Sequence, residues 1–288
     1  LNWNNLQIKE GLRMQGNKFE LTRTLGRFIV ETDVSDIPSI VYEHAKIAFQ
    51  DWFAVTMAGK NEQLVLKLIK FSDLMGGKEQ ATILGHGIKK NVSLAALING
   101  SASHALDYDD TIFFGDVPVH PSTTLFPALL ALSEWKEKPG LDFLAAYLIG
   151  FKVGACIAMC AGAEHYSAGW HATSTIGRLA SAAGCAKLMG LDEQQTVYAL
   201  GIAGTQASGL KRAFGSMCKP FHAGRASQDG LEGALLAMDG FTSAEDILEG
   251  PAGFFQLLKG EIKEEAVASL GKKWEIERLA QKYHASAG

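Results

Sequence analysis

Apolar side chains recur at intervals of three and four along most of this chain, the spacing of helices that bury one face in a common core. The first such run covers residues 19–30. The second is sharper: Ser35, Asp36 and Pro38 supply start signals, then Ile40, Val41, Ala45, Ile47, Ala48, Trp52 and Phe53 make an apolar face that Gly59 ends. Residues 64–74 form a third helix, closed by Gly76 and Gly77. Residues 81–84 break the pattern. Ala-Thr-Ile-Leu is short, β-branched and bounded by glycine, so a strand is expected there. Asn91 then caps a helical run to residue 105, and helical spacing returns over 122–135, 142–161, 172–189, 192–208 and 225–238, with a short turn of helix at 244–248. Gly177, Ala180, Ala183 and Gly184 give the run 172–189 a close-packing surface. Short polar or glycine breaks separate the runs, as in a compact helical domain. After Gly260 the texture changes: a charged stretch precedes Trp274-Glu275-Ile276, where the first strand of another unit is expected.

Composition narrows this picture. A length of 288 residues suits one or two domains and a core that needs no staples. A 47% hydrophobic and 20% charged chain is not disordered. With 27 Lys+Arg against 31 Asp+Glu the net charge is −4, which is no footprint for nucleic acid or for an anionic membrane. No run reaches the ~18 uninterrupted apolar residues of a spanning helix. Cys156, Cys160, Cys185 and Cys218 form no Cys-x-x-Cys pair; the first two, four apart in an apolar run, share a helix face and are expected to be reduced core thiols. Residues 1–13 lack pattern and any basic-then-apolar signal, so they are read as a leader, with Met14 a natural start. The expected organisation is a leader (1–13), a helical main domain (14–260) and the start of a second unit (261–288), in a cytoplasmic protein.

Three clusters carry candidate chemistry. His104, Asp107, Asp109, Asp110 and Thr111 precede His120-Pro121-Ser122. His104 and Asp107 are three apart at a helix end and share a face. Residues 112–119 contain Gly115 and Pro118 and read as a loop leading to the next helix. Crowded carboxylates raise each other's pKa, which suits proton transfer. Plain helix capping and metal binding are the alternatives; no His-x3-His or His-Glu-x2-His pair supports a metal, so neither metal nor other cofactor is expected. In the second cluster, Gly169-Trp170-His171-Ala172-Thr173-Ser174 opens a helix, where free N–H groups and the dipole favour a carboxylate. In the third, Lys211, Arg212, Lys219, His222 and Arg225 surround a glycine-containing loop before a helix, a local cation excess suited to anions. Nucleophile-elbow, dinucleotide and Walker motifs are all missing.

In this order and spacing, Asp107-Tyr-Asp-Asp-Thr111 with His120-Pro121, Gly169-Trp-His171-Ala-Thr173, Lys219-Pro-Phe-His222-Ala-Gly-Arg225 and Ile247-Leu-Glu-Gly250-Pro-Ala-Gly253-Phe254 resemble the MmgE/PrpD family. Its members include 2-methylcitrate dehydratase, cis-aconitate decarboxylase and iminodisuccinate epimerase. The resemblance spans residues 19–288 and implies an all-α main domain, a smaller α/β lid of which residues 261–288 hold only the beginning, and a metal-free site between them. It implies that Asp107, Thr111, His120 and His171 are catalytic. Lys219, His222, Arg225, Thr173 and Lys282, the last from the first lid strand, are expected to hold substrate.

The resemblance and the clusters lead to one scheme. Asp107 or His120 removes a proton alpha to a carboxylate of a small di- or tricarboxylate, while nearby cations stabilise the enolate-like charge. Loss of hydroxide, loss of CO2 or reprotonation then gives dehydration, decarboxylation or epimerisation. Most named members are lyases, so a dehydratase of the 2-methylcitrate type is placed first. A decarboxylase, an epimerase and a non-catalytic helical dimerisation scaffold are the alternatives. A homodimer is expected, with no nucleic-acid or membrane partner, and little turnover from these 288 residues without a whole lid.

Overall fold

The computed structural model describes residues 20–285, so the expected leader at 1–13 lies outside the described residues. Helices α1 (Leu21–Glu31), α2 (Ser39–Gly59), α3 (Gln63–Met75), α4 (Val92–Ser103), α5 (Ser122–Lys136), α6 (Gly140–Ser167), α7 (Ala172–Met189), α8 (Glu193–Thr205) and α9 (Cys218–Met238) are joined by two short ones, α10 (Phe254–Leu258) and α11 (Glu264–Ala268). The class is all-α, as the periodicity requires. Two small antiparallel hairpins accompany the helices: β1 (Ala81–Ile83) with β2 (Ile88–Lys90), and β3 (Ile112–Phe114) with β4 (Val117–Val119).

Helix α7 lies at the centre and packs against α5, α6, α8 and α9, while α4 packs against α5 and α9. Small residues permit these close approaches. A Cβ on Gly177 would fall 2.7 Å from the Thr124 side chain of α5, and one on Gly100 of α4 would fall 2.8 Å from the Gly224 backbone of α9. Helix α6 is long and apolar enough to cross a membrane, but its most apolar window is 89% buried inside the protein, so here it is a core helix. It carries Cys156 and Cys160, both buried and unpaired, on the face expected for them.

The structure departs from the sequence reading in four places. Residues 112–119 are a hairpin, not a loop: Gly115, at φ 63°, makes the tight turn, and Pro118 is accommodated opposite Phe113 in a two-stranded edge. Helix α9 starts at Cys218, so Lys219 and His222 stand on its first turns rather than in a loop before it. Residues 244–248 are turns, and the short helix comes later, at Phe254–Leu258. The expected strand at Trp274-Glu275-Ile276 is replaced by a 3-10 turn, Glu275–Arg278. The hydrophobic core also runs across Gly260, since Ala266, Val267, Leu270, Trp274 and Ile276 share one cluster with α1 to α9.

Candidate active site

Asn91 fixes the start of α4 by accepting from the Leu94 N–H, and the helix ends at His104. The chain then turns sharply. Asp107 adopts φ 50°, a left-handed conformation uncommon outside glycine and held here by tertiary contacts. Its carboxylate is the focus of the site. Lys219 Nζ, from the first turn of α9, donates to Oδ2 at 2.6 Å, and Lys282 Nζ donates to Oδ1 at 3.0 Å and to the Asp107 carbonyl at 2.8 Å. His120 Nε2 stands 3.9 Å from Oδ1. Both lysines and Asp107 keep about one-seventh of their side-chain surface exposed, at 15% each, so the group is reachable from solvent.

A second layer orients the histidines. His104 Nδ1 lies 2.9 Å from both oxygens of Asp109, and His120 Nδ1 lies 3.3 Å from Asp109 Oδ2 and 2.9 Å from the Asp110 carbonyl. All of these neighbours are acceptors, so each Nδ1 carries the proton and each Nε2 is left as a lone pair or a proton-carrying site. His104 Nε2 is buried without a hydrogen-bond partner among the described residues. The rings of His104 and His120 are 4.7 Å apart, His171 stacks on His104 at 6.0 Å, and His171 Nδ1 meets His222 Nδ1 at 3.2 Å. Phe214 closes one side edge-on to His171.

The electrostatics invert one expectation for two of its three carboxyls. Crowding was expected to raise the carboxyl pKa values, yet burial, which pushes Asp107 and Asp109 up, is outweighed. For Asp107 the Lys219 hydrogen bond and the charges of His104 and His120 hold the group below the usual carboxylate range. For Asp109 the same two histidines do so. Of the three carboxyls in this motif, Asp110 alone is pushed up, by complete burial and by the nearby Asp109 and Asp51 carboxylates, and it is hydrogen-bonded to the Ser122 hydroxyl, which also meets Tyr147. Burial lowers His171 strongly, with the neighbouring His104, His120 and His222 adding to it, and lowers His104 and His222 as well. The Asp107 and Asp109 carboxylates are thus held in their ionised form, with Lys219 and Lys282 on Asp107 and the two imidazoles on Asp109.

Of the expected residues, Asp107, His120, Lys219 and Lys282 converge, with His171 adjoining through His104 and His222 through His171. Thr111 forms the wall by pairing its backbone with Ala280, at 2.9 and 3.0 Å. Thr173 is fully buried and accepts from the His120 backbone N–H at 3.2 Å. Arg225 is turned aside into an ion pair with Asp229, 2.7 Å away, which Arg178 also contacts. Sequence reasoning assigns no role to His104 or Asp109, although both stand in the first candidate cluster, five residues apart. It also missed Asp51 on α2, which burial and the nearby Asp109 push up to about 6 while Lys282 pulls it down.

His104, Asp107, Asp109 and His120 place ligand atoms within 4.8 Å of one another and could together hold a metal ion. Such an ion would compete with Lys219 and Lys282 for the Asp107 carboxylate, while His104 and His120 could each offer Nε2 and keep Nδ1–H on Asp109.

A model of the MmgE/PrpD N-terminal domain matches residues 23–265. The chain is similar to the cis-aconitate decarboxylase-like protein oryM of Aspergillus oryzae, at 32% identity over 93% of this chain and 59% of that protein. It is similar to cis-aconitate decarboxylase of Aspergillus terreus, at 32% identity over 88% of this chain and 54% of that one. To the human cis-aconitate decarboxylase it is 29% identical over 81% of this chain and 49% of the other. The chain thus spans about half the length of the curated relatives it matches.

Proposed function

The chain belongs to the MmgE/PrpD family, and from that premise we propose that it supplies the helical half of a lyase for a small tricarboxylate, of the cis-aconitate decarboxylase type. The carrying observation is the convergence of Lys219 and Lys282 on the Asp107 carboxylate beside His120. Two ammonium groups that seat one carboxylate can seat a substrate carboxylate in exchange, through charge-assisted hydrogen bonds. The relatives' names favour decarboxylation over the dehydration placed first on sequence grounds.

In this reading the substrate anion draws a proton onto His120 Nε2, and Asp109 stabilises the resulting imidazolium through Nδ1, the division of labour of a histidine–carboxylate pair. The bond from carbon to one carboxylate breaks and CO2 leaves. Its electron pair forms a new carbon–carbon double bond, and the former alkene carbon takes the proton from His120. Lys219 and Lys282 hold the remaining carboxylates and stabilise charge that develops on the carbon skeleton. Solvent then returns a proton to His120.

The test is 13C NMR of cis-aconitate, 2-methylcitrate, citrate and iminodisuccinate incubated with the protein expressed from its complete reading frame. Release of CO2 from cis-aconitate is expected. Dehydration of 2-methylcitrate without CO2 release would replace this reading with the dehydratase one. A folded protein that neither binds nor converts any of them would leave the scaffold reading in its place.

A further inference from the structure

The structure holds a buried lysine–carboxylate pair that the site does not use. Lys152 is the only charged residue of α6 between Asp142 and Glu164, and it is completely buried. Its ammonium donates to both oxygens of Glu275, at 2.8 and 2.9 Å, and to the Ser269 hydroxyl at 2.8 Å. Glu275 is 3% exposed. Both Ser269 and Glu275 belong to the segment that follows Gly260. That segment runs along α6 as a strap. Gly162, at φ 66° and ψ 178°, interrupts α6, and the Cys160 carbonyl accepts from the Glu261 N–H at 2.8 Å. The Lys263 N–H points to Cys160 Sγ at 3.4 Å.

Beyond Glu275 the strap leads straight to the site. The 3-10 turn Glu275–Arg278 places the Arg278 guanidinium on the Phe113 carbonyl, at 3.2 Å. Ala280 pairs with Thr111, and Lys282 reaches Asp107. A buried charge tolerates only its partner, so sliding the strap by one residue would strand both Lys152 and Glu275 in an apolar wall. Apolar contacts of Val267, Leu270 and Ile276 favour docking but tolerate many registers; the ion pair admits one.

We propose that Lys152 and Glu275 are positioning residues: their buried pair sets the register of the strap that delivers Lys282 to Asp107. The proposal rests on the functional reading above only for the role of Lys282 in holding substrate. The seating of Lys282 is measurable without any substrate.

The experiment compares Glu275→Gln, Lys152→Arg and the apolar double variant Lys152→Met/Glu275→Leu with the unaltered protein. Each is labelled with dilute acetic anhydride, and modification of Lys282 is quantified by mass spectrometry against exposed Lys46 and against Lys219. In the double variant, folded by circular dichroism, Lys282 is expected to label about tenfold faster while Lys219 changes little, the signature of local release rather than unfolding. Lys152→Arg, which keeps the charge, is expected to restore most of the protection. With turnover established, the double variant should raise KM for the tricarboxylate more than it lowers kcat. Unchanged Lys282 labelling in the folded double variant would overturn the proposal. Unfolding of every variant would also count against it, because the pair would then support the whole body rather than the strap. Faster Lys282 labelling in a protein that converts no tricarboxylate would sink the functional reading and leave the positioning role standing.

Discussion

Asp107 with Lys219 and Lys282, and Glu275 with Lys152, use the same two functional groups at similar distances. They differ in solvent and in number. The first has two cations for one carboxylate, a histidine at its edge and an opening to water. The second is one to one, closed by Ser269, with Lys152 fully buried. A sealed pair cannot exchange partners, because each charge would lose its only compensation. An accessible carboxylate with two ammonium partners can give them up to another anion. The difference between a strut and a site therefore lies in what surrounds the charges.

Four outcomes would break or sharpen this comparison. The largest effect is expected at the accessible group: His120→Gln should lower kcat by roughly 10²–10⁴-fold, the usual worth of a positioned acid–base group, with circular dichroism unchanged. Steady-state assays showing near-normal kcat would remove His120 from proton transfer.

Breaking the sealed pair should act on stability instead. Lys152→Met strands Glu275 and is expected to cost about 3–5 kcal/mol in urea denaturation, most of which the double variant Lys152→Met/Glu275→Leu should regain. A cost below about 1 kcal/mol would place the pair among exposed, weak bridges.

Lys219→Ala should weaken substrate binding by about ten- to a hundredfold, or ~1.5–3 kcal/mol, seen mainly in KM. Equal affinity for citrate-like anions by calorimetry in the variant and the unaltered protein would contradict this.

The smallest effect concerns pH. Asp107 and Asp109 are held below the usual value of 3.8, so the stability they contribute is present above that pH and lost as pH falls through their folded values. Asp51 has the opposite sign: burial and the charge of Asp109 raise it to about 6, so its contribution is present below 3.8 and lost as pH rises toward 6. Asp51→Asn should flatten the fall in stability between about pH 4 and 6, as read by urea titrations across that window. An identical pH profile would show that Asp51 ionises in the folded protein as it does in the unfolded chain.

The sequence by itself determined the helices and named most of the side chains that the structure brings together around Asp107. The run 172–189 coincides with α7, and Asp107, His120 and Lys219 stood in motifs whose residue types announce proton transfer and anion binding. Local information suffices there, because helical periodicity is written within a few turns and a cap within four residues. Tertiary structure decided the rest. Residues 112–119 read as a loop because two three-residue strands stabilise each other only by pairing across Gly115. Lys152 sat unnoticed in an apolar run because its compensation, Glu275, lies 123 residues away. The protonation pattern reversed at Asp107 and Asp109 but not at Asp110: neighbouring carboxylates suggest mutual repulsion, which Asp110 feels, whereas in space Asp107 faces two lysines and Asp109 two histidines, supplied largely by other elements. Coulomb interactions follow distance through the fold, and distance along the chain carries little of that information.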